Sequence, residues 1–136
     1  MTLTAVELND LVEQAVRGLP FPCVELTSTS ALTRLTVEEG QLRPGRLISG
    51  PSQFQLADTA LWYAAFGAMG SFDPMVVTSE MSIRFLRPAQ GDVLWARAEV
   101  DQCGRRNVVG TIRLWVDDRP EALVSVAQGT YVRPRT

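Results

Sequence analysis

The sequence predicts an α+β domain: an antiparallel sheet wrapped around a long central helix, with an extra helix at the N-terminus. Three patterns predict it. From Gly50 to Gly70 the residues are apolar around nearly the whole helical circumference, as in a helix buried on most sides. After Asp73-Pro74 the apolar period changes to two, and four strands follow with short turns between them. Before the long helix, Pro22 to Glu38 is rich in Thr, Val and Leu, which favour a further strand.

The elements follow in order. Thr4-Ala5-Val6-Glu7 reads as a capping box, with Glu7 three residues beyond the N-cap Thr4. Leu8, Leu11, Val12, Ala15 and Val16 then recur at helical spacing, and Gly18 and Pro20 end the helix. Pro22 to Glu38 is expected as one strand bent near Ser28–Ser30. Glu39-Gly40 marks a turn and Arg43-Pro44-Gly45 a loop. Gly50-Pro51 starts the long helix, since proline's missing N–H costs nothing in the first turn. Gly67 to Gly70 closes it. In the next strand Val77, Met81, Ile83 and Phe85 are expected on one face, with Thr78, Glu80, Ser82 and Arg84 on the other. Leu94, Ala96, Ala98 and Val100 line a second strand, and Val108, Gly110, Ile112, Leu114 and Val116 a third. A hairpin turn with Gly104 joins these two. Ala122, Val124 and Val126 are expected to start the last strand, which runs to about Val132. No repeat or linker interrupts the chain, so residues 1–136 are expected to form a single domain. One face of such a sheet packs on the helix, and the other needs a cover.

Composition excludes several classes. Apolar residues make up 46% of the 136, enough for one real core. A net charge of −2 gives no footprint for nucleic acid. The longest apolar stretch is interrupted by Asp58 and is too short to span a bilayer, so no membrane partner is expected. No signal peptide is apparent. Cys23 and Cys103 fit neither a metal site nor a disulfide framework, and read as reduced thiols of a cytoplasmic protein. There is no histidine. A Ser-His-Asp triad, a Cys-His pair and a His-ligated zinc are therefore excluded within one chain type. A general base must be Asp, Glu, Cys, Tyr or a water held by polar groups.

Between Arg46 and Asp73 the one charge is Asp58. Burying a carboxylate costs several kcal/mol unless it is paired, hydrogen-bonded or protonated. Two readings follow from the residues: a catalytic carboxylate, or a hydrogen-bonding group at a subunit interface.

The run Ser49-Gly50-Pro51-Ser52-Gln53-Phe54-Gln55-Leu56-Ala57-Asp58-Thr59-Ala60 resembles the helix start of hotdog-fold thioesterases of the phenylacetate-degradation (PaaI-like) type. Val77-Thr78-Ser79-Glu80-Met81-Ser82-Ile83-Arg84-Phe85-Leu86-Arg87-Pro88-Ala89 resembles the family's second strand. Gly104-Arg105-Arg106 and Ala127-Gln128-Gly129-Thr130-Tyr131 resemble its last hairpin and terminal strand. The likeness covers about Arg43 to Val132. It implies a dimer or a dimer of dimers with joined sheets and active sites at the interface. It also implies an acyl-coenzyme A substrate and no metal or other cofactor. The helix carboxylate, base or nucleophile, maps onto Asp58. The carbonyl-polarising backbone N–H maps onto Gly50, and the water-positioning hydroxyl onto Thr78.

The chain departs from the family pattern at the helix start. Ser49-Gly50-Pro51 replaces the usual His-Gly-Gly, and Arg43 stands where many members have Asn or Gln. Ser49 is a candidate to supply a hydroxyl in place of the histidine. Arg105 and Arg106 are either a solvated hairpin or a grip on coenzyme A phosphates, which guanidinium forks suit. Gln53 and Trp62 are further substrate-binding candidates, Trp62 as lining of an acyl pocket. The expected function is hydrolysis of an acyl-coenzyme A thioester; the alternative is a non-catalytic acyl-coenzyme A binding or sensing module.

Overall fold

A computed structural model describes residues 2–19 and 21–134. Helix α1 (Ala5–Ala15) has the expected capping box: Thr4 N–H donates to Glu7 Oε1 at 3.0 Å and Glu7 N–H to Thr4 Oγ1 at 3.1 Å. Its Leu8 and Val12 are buried, while Leu11 and Val16 stay exposed. Pro20, expected to help end α1, lies outside the described residues.

The segment expected as one bent strand is two, β1 (Cys23–Leu26) and β2 (Ser30–Thr36), paired antiparallel. The turn between them is made by a side chain. Thr27 Oγ1 accepts the N–H groups of Thr29 and Ser30 at 3.1 and 3.0 Å, which satisfies the reversing backbone. A single 3-10 turn (Glu39–Gln41) leads into a small ladder of β3 (Leu42–Arg43) and β4 (Leu47–Ile48). Helix α2 (Gly50–Met69) follows and ends on Gly70, whose φ of 74° is the left-handed conformation that closes helices. Then come β5 (Val77–Phe85), β6 (Val93–Cys103), β7 (Asn107–Val116) and β8 (Ser125–Val132). The main sheet therefore has six strands in the order β1-β2-β6-β7-β8-β5, all neighbours antiparallel.

The sheet curls around α2, whose Leu56, Ala57, Ala60, Leu61, Ala64, Ala65 and Phe66 are all buried. Small residues let the layers close up. Gly110 and Gly129 oppose each other on β7 and β8, and the two methyl groups of Leu61 sit on them. The inward residues of β6 and β7 are those the alternation predicts, Leu94, Ala96, Ala98 and Val108, Ile112, Leu114, Val116.

Two strand faces differ from expectation. On β8 the buried residues are Ser125, Ala127, Gly129 and Tyr131, not the set begun by Ala122, Val124 and Val126. Val124 is buried in the turn before the ladder begins, so its burial does not set the strand's phase. On β5 a bulge falls between Thr78 and Glu80, where one extra residue inverts the alternation. Met81 and Ile83 pack on the core as expected. Thr78 also turns to the helix side, whereas Val77 is exposed.

Candidate active site

Asp58 sits on α2 beneath the β5–β8 ladder. Thr78 Oγ1 donates to its Oδ1 at 2.8 Å, and Tyr131 Oη donates to the same oxygen at 2.6 Å. The Tyr131 oxygen also lies 2.9 Å from the Asp58 carbonyl. A phenol has one proton, and the shorter contact to the carboxylate is the charge-assisted one. Oδ2 receives no hydrogen bond among the described residues. The carboxylate is thus tethered through one oxygen and left free at the other.

The sheet brings these groups together. Thr78 and Tyr131 are direct partners across β5 and β8, and the bulge after Thr78 turns its hydroxyl to the helix. Bulges often re-aim side chains in this way beside active sites. Tyr131 is buried. Burial above all, and then the charge and hydrogen bond of Asp58, hold its phenol well above the usual tyrosine range. It is a permanent donor at neutral pH. Tyr131 was not among the candidates drawn from the sequence. Its only signal is a large residue at the end of a strand whose other inward residues are small.

Asp58, Thr78 and Tyr131 stand in a cleft of about 390 Å³ that Trp62 also lines. Trp62 is held edge-on to Phe66 and Phe72 at 4.9 and 6.0 Å, with its indole N–H on the Val76 carbonyl at 3.3 Å.

Gly50 lines a different cleft, of about 560 Å³, with Gln53, Phe85, Arg43 and Arg87. Asp58 does not line it. Eight residues along an α-helix advance about 12 Å, and the Gly50 N–H points along the axis away from Asp58, so one thioester carbonyl does not reach both within one chain. The Gly50 N–H makes no hydrogen bond among the described residues, and Pro51 has none to offer. Ser49 is the N-cap: its Oγ accepts Ser52 N–H at 3.2 Å and donates to Ser52 Oγ at 2.8 Å. Gln53 is buried and ties the helix start down, donating to the Ile48 carbonyl at 3.2 Å and accepting from Ser125 Oγ at 2.8 Å. Arg105 and Arg106 are exposed at the β6–β7 hairpin and line neither cleft. Among the described residues no three His, Cys, Asp or Glu side chains are grouped to hold a metal ion.

The profile of the Thioesterase superfamily matches residues 45–123. The chain belongs to the thioesterase superfamily. It is similar to a protein assigned as a thioesterase from Silicibacter sp. TM1040, with 30% identity, TM-score 0.87 and coverage of 98% of this chain and 93% of that one. It is also similar to the PaaI protein of the E. coli phenylacetic acid degradation operon, at 28% identity, TM-score 0.72 and coverage of 95% and 92%. No curated protein matches it. The expected hotdog fold and PaaI-like type are borne out, and thioester hydrolysis is the general reaction of the family. Within this thioesterase the family match includes Gly50, Asp58 and Thr78; α1 and Tyr131 lie outside it. No helix among the described residues is long and apolar enough to cross a membrane.

Proposed function

We propose that this thioesterase hydrolyses an acyl-coenzyme A thioester to the free acid and coenzyme A. The observation that carries the reading is Asp58, a carboxylate in a cleft, anchored through Oδ1 by two neutral donors and unbonded at Oδ2. Water deprotonated by Oδ2 attacks the thioester carbon. The tetrahedral oxyanion forms against the Gly50 N–H at the positive end of α2, then expels the thiolate, which takes the proton from Asp58. Direct attack by Oδ2, giving a mixed anhydride that water then cleaves, is the variant of the same chemistry. Thr78 and Tyr131 aim the carboxylate. Ser49 and Gln53 hold the helix start on which the Gly50 donor depends.

Gly50 and Asp58 face different clefts of one chain, so one thioester meets both only where two copies join. The free edge of β5 supports this assembly, with Val77 and Phe85 more than half exposed. Pairing there yields a dimer with shared sites, and a dimer of dimers covers the outer sheet face, where Trp95 and Trp115 are only half-buried. Arg43 and Arg87 beside Gly50 have no ion pair among the described residues and suit an anionic carrier such as coenzyme A; so do Arg105 and Arg106. Two free cysteines suit a cytoplasmic location.

The decisive experiment is thiol release from a panel of acyl-coenzyme A esters by the native protein and Asp58→Asn. The variant should keep its fold and lose at least ~10² in kcat, the low end for a lost base. Equal turnover by both proteins removes Asp58 from the chemistry. A second reading, a binding or sensing module, is favoured by one feature: the Ser49 hydroxyl is engaged in capping and not free for substrate. Saturable binding of the esters with no thiol release by the native protein selects it.

A further inference from the structure

The edge strand β5 carries two charges on its outer face. Glu80, Ser82 and Arg84 lie opposite Thr130, Gln128 and Val126 of β8, and all three are exposed. Farther along that face Arg97 pairs with Glu25 at 3.4 Å and Arg113 with Glu99 at 3.1 Å. Glu80 and Arg84 have no ion pair among the described residues. Four residues of strand hold them about 13 Å apart, too far to meet each other. We propose that two copies join their β5 edges about a two-fold axis at Ser82, where Glu80 of each copy pairs with Arg84 of the other and fixes the register of the shared active site. This rests on the edge-to-edge dimer proposed above and adds what sets its alignment.

Pleat and charge select this register. A slip of one residue sets inner side chains against outer ones. A slip of two leaves Glu80 against Ser82 or Leu86, with both charges unpaired. A slip of four sets Glu80 against Glu80 or Arg84 against Arg84. Of these registers, only the axis at Ser82 brings opposite charges face to face, twice in each dimer. The backbone agrees. Leu86 N–H donates to the Val124 carbonyl at 2.8 Å, so the even-numbered residues of this stretch turn their backbone groups to β8. Met81, Ile83 and Phe85 turn theirs to the free edge. Glu80 and Arg84 then form a non-hydrogen-bonded pair, the kind whose Cα atoms lie about 4.5 Å apart and whose side chains are closest. The site agrees as well. Phe85, whose ring approaches Gly50, falls opposite the partner's Ser79 at the bulge. It therefore stands beside the partner's Thr78, the residue that holds the carboxylate. The oxyanion donor of one copy thus comes next to the reactive acid of the other.

The test reads assembly, not turnover. Glu80→Arg creates two like-charge contacts in each dimer and should raise the dimer Kd, measured by sedimentation equilibrium, roughly 10-fold. Arg84→Glu should do the same. The double variant, Glu80→Arg with Arg84→Glu, restores opposite charges and should return to within about threefold of native. A second arm locates the axis by distance. Ser82→Cys, in a chain with Cys103→Ser, should give a disulfide-linked dimer under oxidised glutathione, because the two thiols face each other across the axis. Glu80→Cys in the same background should not, since its copy lies about 13 Å away. Cys23 is buried and takes no part. A native dimer that Ser82→Cys does not cross-link overturns the register. So does a Kd that the single variants leave unchanged, or that the double variant leaves as weak as the single ones. A native protein that sediments as a monomer at micromolar concentration overturns it too. If the native protein dimerises and cleaves no ester, the thioesterase reading fails and the cross-link still decides this inference.

Discussion

Tyr131→Phe removes one oxygen and leaves the ring that fills its place in the core. The oxygen lost is the donor 2.6 Å from Asp58 Oδ1, which leaves Thr78 as the single group bonded to that carboxylate. A hydrogen bond to a charged acceptor is worth about 1.5–3 kcal/mol. Asp58 is only half-buried, so water replaces part of this and the low end applies. Each factor of ten in rate corresponds to about 1.4 kcal/mol. If the bond holds the carboxylate in its reactive pose, kcat should fall about 10- to 30-fold, within the ~10² that a misplacement of 1 Å can cost. KM should stay within about twofold, because Tyr131 acts through Asp58 and not by gripping the carrier. Stopped thiol-release assays on an acyl-coenzyme A ester give both constants, and thermal unfolding checks the fold. The phenol's raised pKa adds a second readout: Tyr131 stays protonated, so the native kcat should show no tyrosine limb below pH 9. A native kcat matched by Tyr131→Phe, in a protein that Asp58→Asn inactivates, would refute a positioning role for Tyr131.

Two further outcomes are expected. Arg105→Ala with Arg106→Ala should raise KM for an acyl-coenzyme A ester and spare a short thioester lacking the nucleotide; equal effects on both would assign these arginines to folding or assembly. Stability should decline on the alkaline side, because burial pushes the Cys23 thiol from 9.0 up to about 12. The unfolded chain then ionises first, so the stability the native thiol contributes is full below pH 9 and is lost as pH rises towards 12. Urea titrations at pH 7, 9 and 10.5 should show the loss, with Cys23→Ala losing less between pH 9 and 10.5. An identical decline in that variant would place the effect elsewhere.

Asp58 was legible in the sequence because a charge inside an apolar helix is costly and visible. The helix itself, and the inward faces of β6 and β7, followed from periodicity alone. The partners of Asp58 did not. Val77-Thr78-Ser79-Glu80 has one apolar residue followed by three polar ones, so nothing in it marks the bulge that pairing with β8 creates and that turns Thr78 inward. The inward face of β8 is Ser125, Ala127 and Gly129, small because Leu61 and its neighbours on α2 press close, and small residues carry no hydrophobic signal. Tyr131 was hidden by the same phase error. The β1–β2 turn was missed because a threonine side chain makes it and no glycine or proline marks it.

The separation of Gly50 from Asp58 has a consequence that mixing can test. If each site takes its carboxylate from one protomer and its oxyanion donor from the other, two dead variants should rescue each other. Asp58→Asn supplies the first. Gly50→Pro supplies the second, since it deletes the N–H at a helix position that tolerates proline. Ser49 before it already has φ −65° and ψ 152°, the extended conformation a following proline demands. Phe85, which an added Cβ at Gly50 would approach to 3.1 Å, is more than half exposed and can yield. Each variant alone should lose about 10²-fold or more. After co-unfolding and refolding at equal amounts, half the dimers are hybrids, and each hybrid holds one site with both native groups. The mixture should recover about a quarter of native activity, since exchange between symmetric protomers is random. Recovery at that level requires two-chain sites. If sedimentation shows dimers and the refolded mixture is no more active than its parents, Gly50 and Asp58 do not meet across the interface, and the oxyanion must be held by another donor beside Asp58.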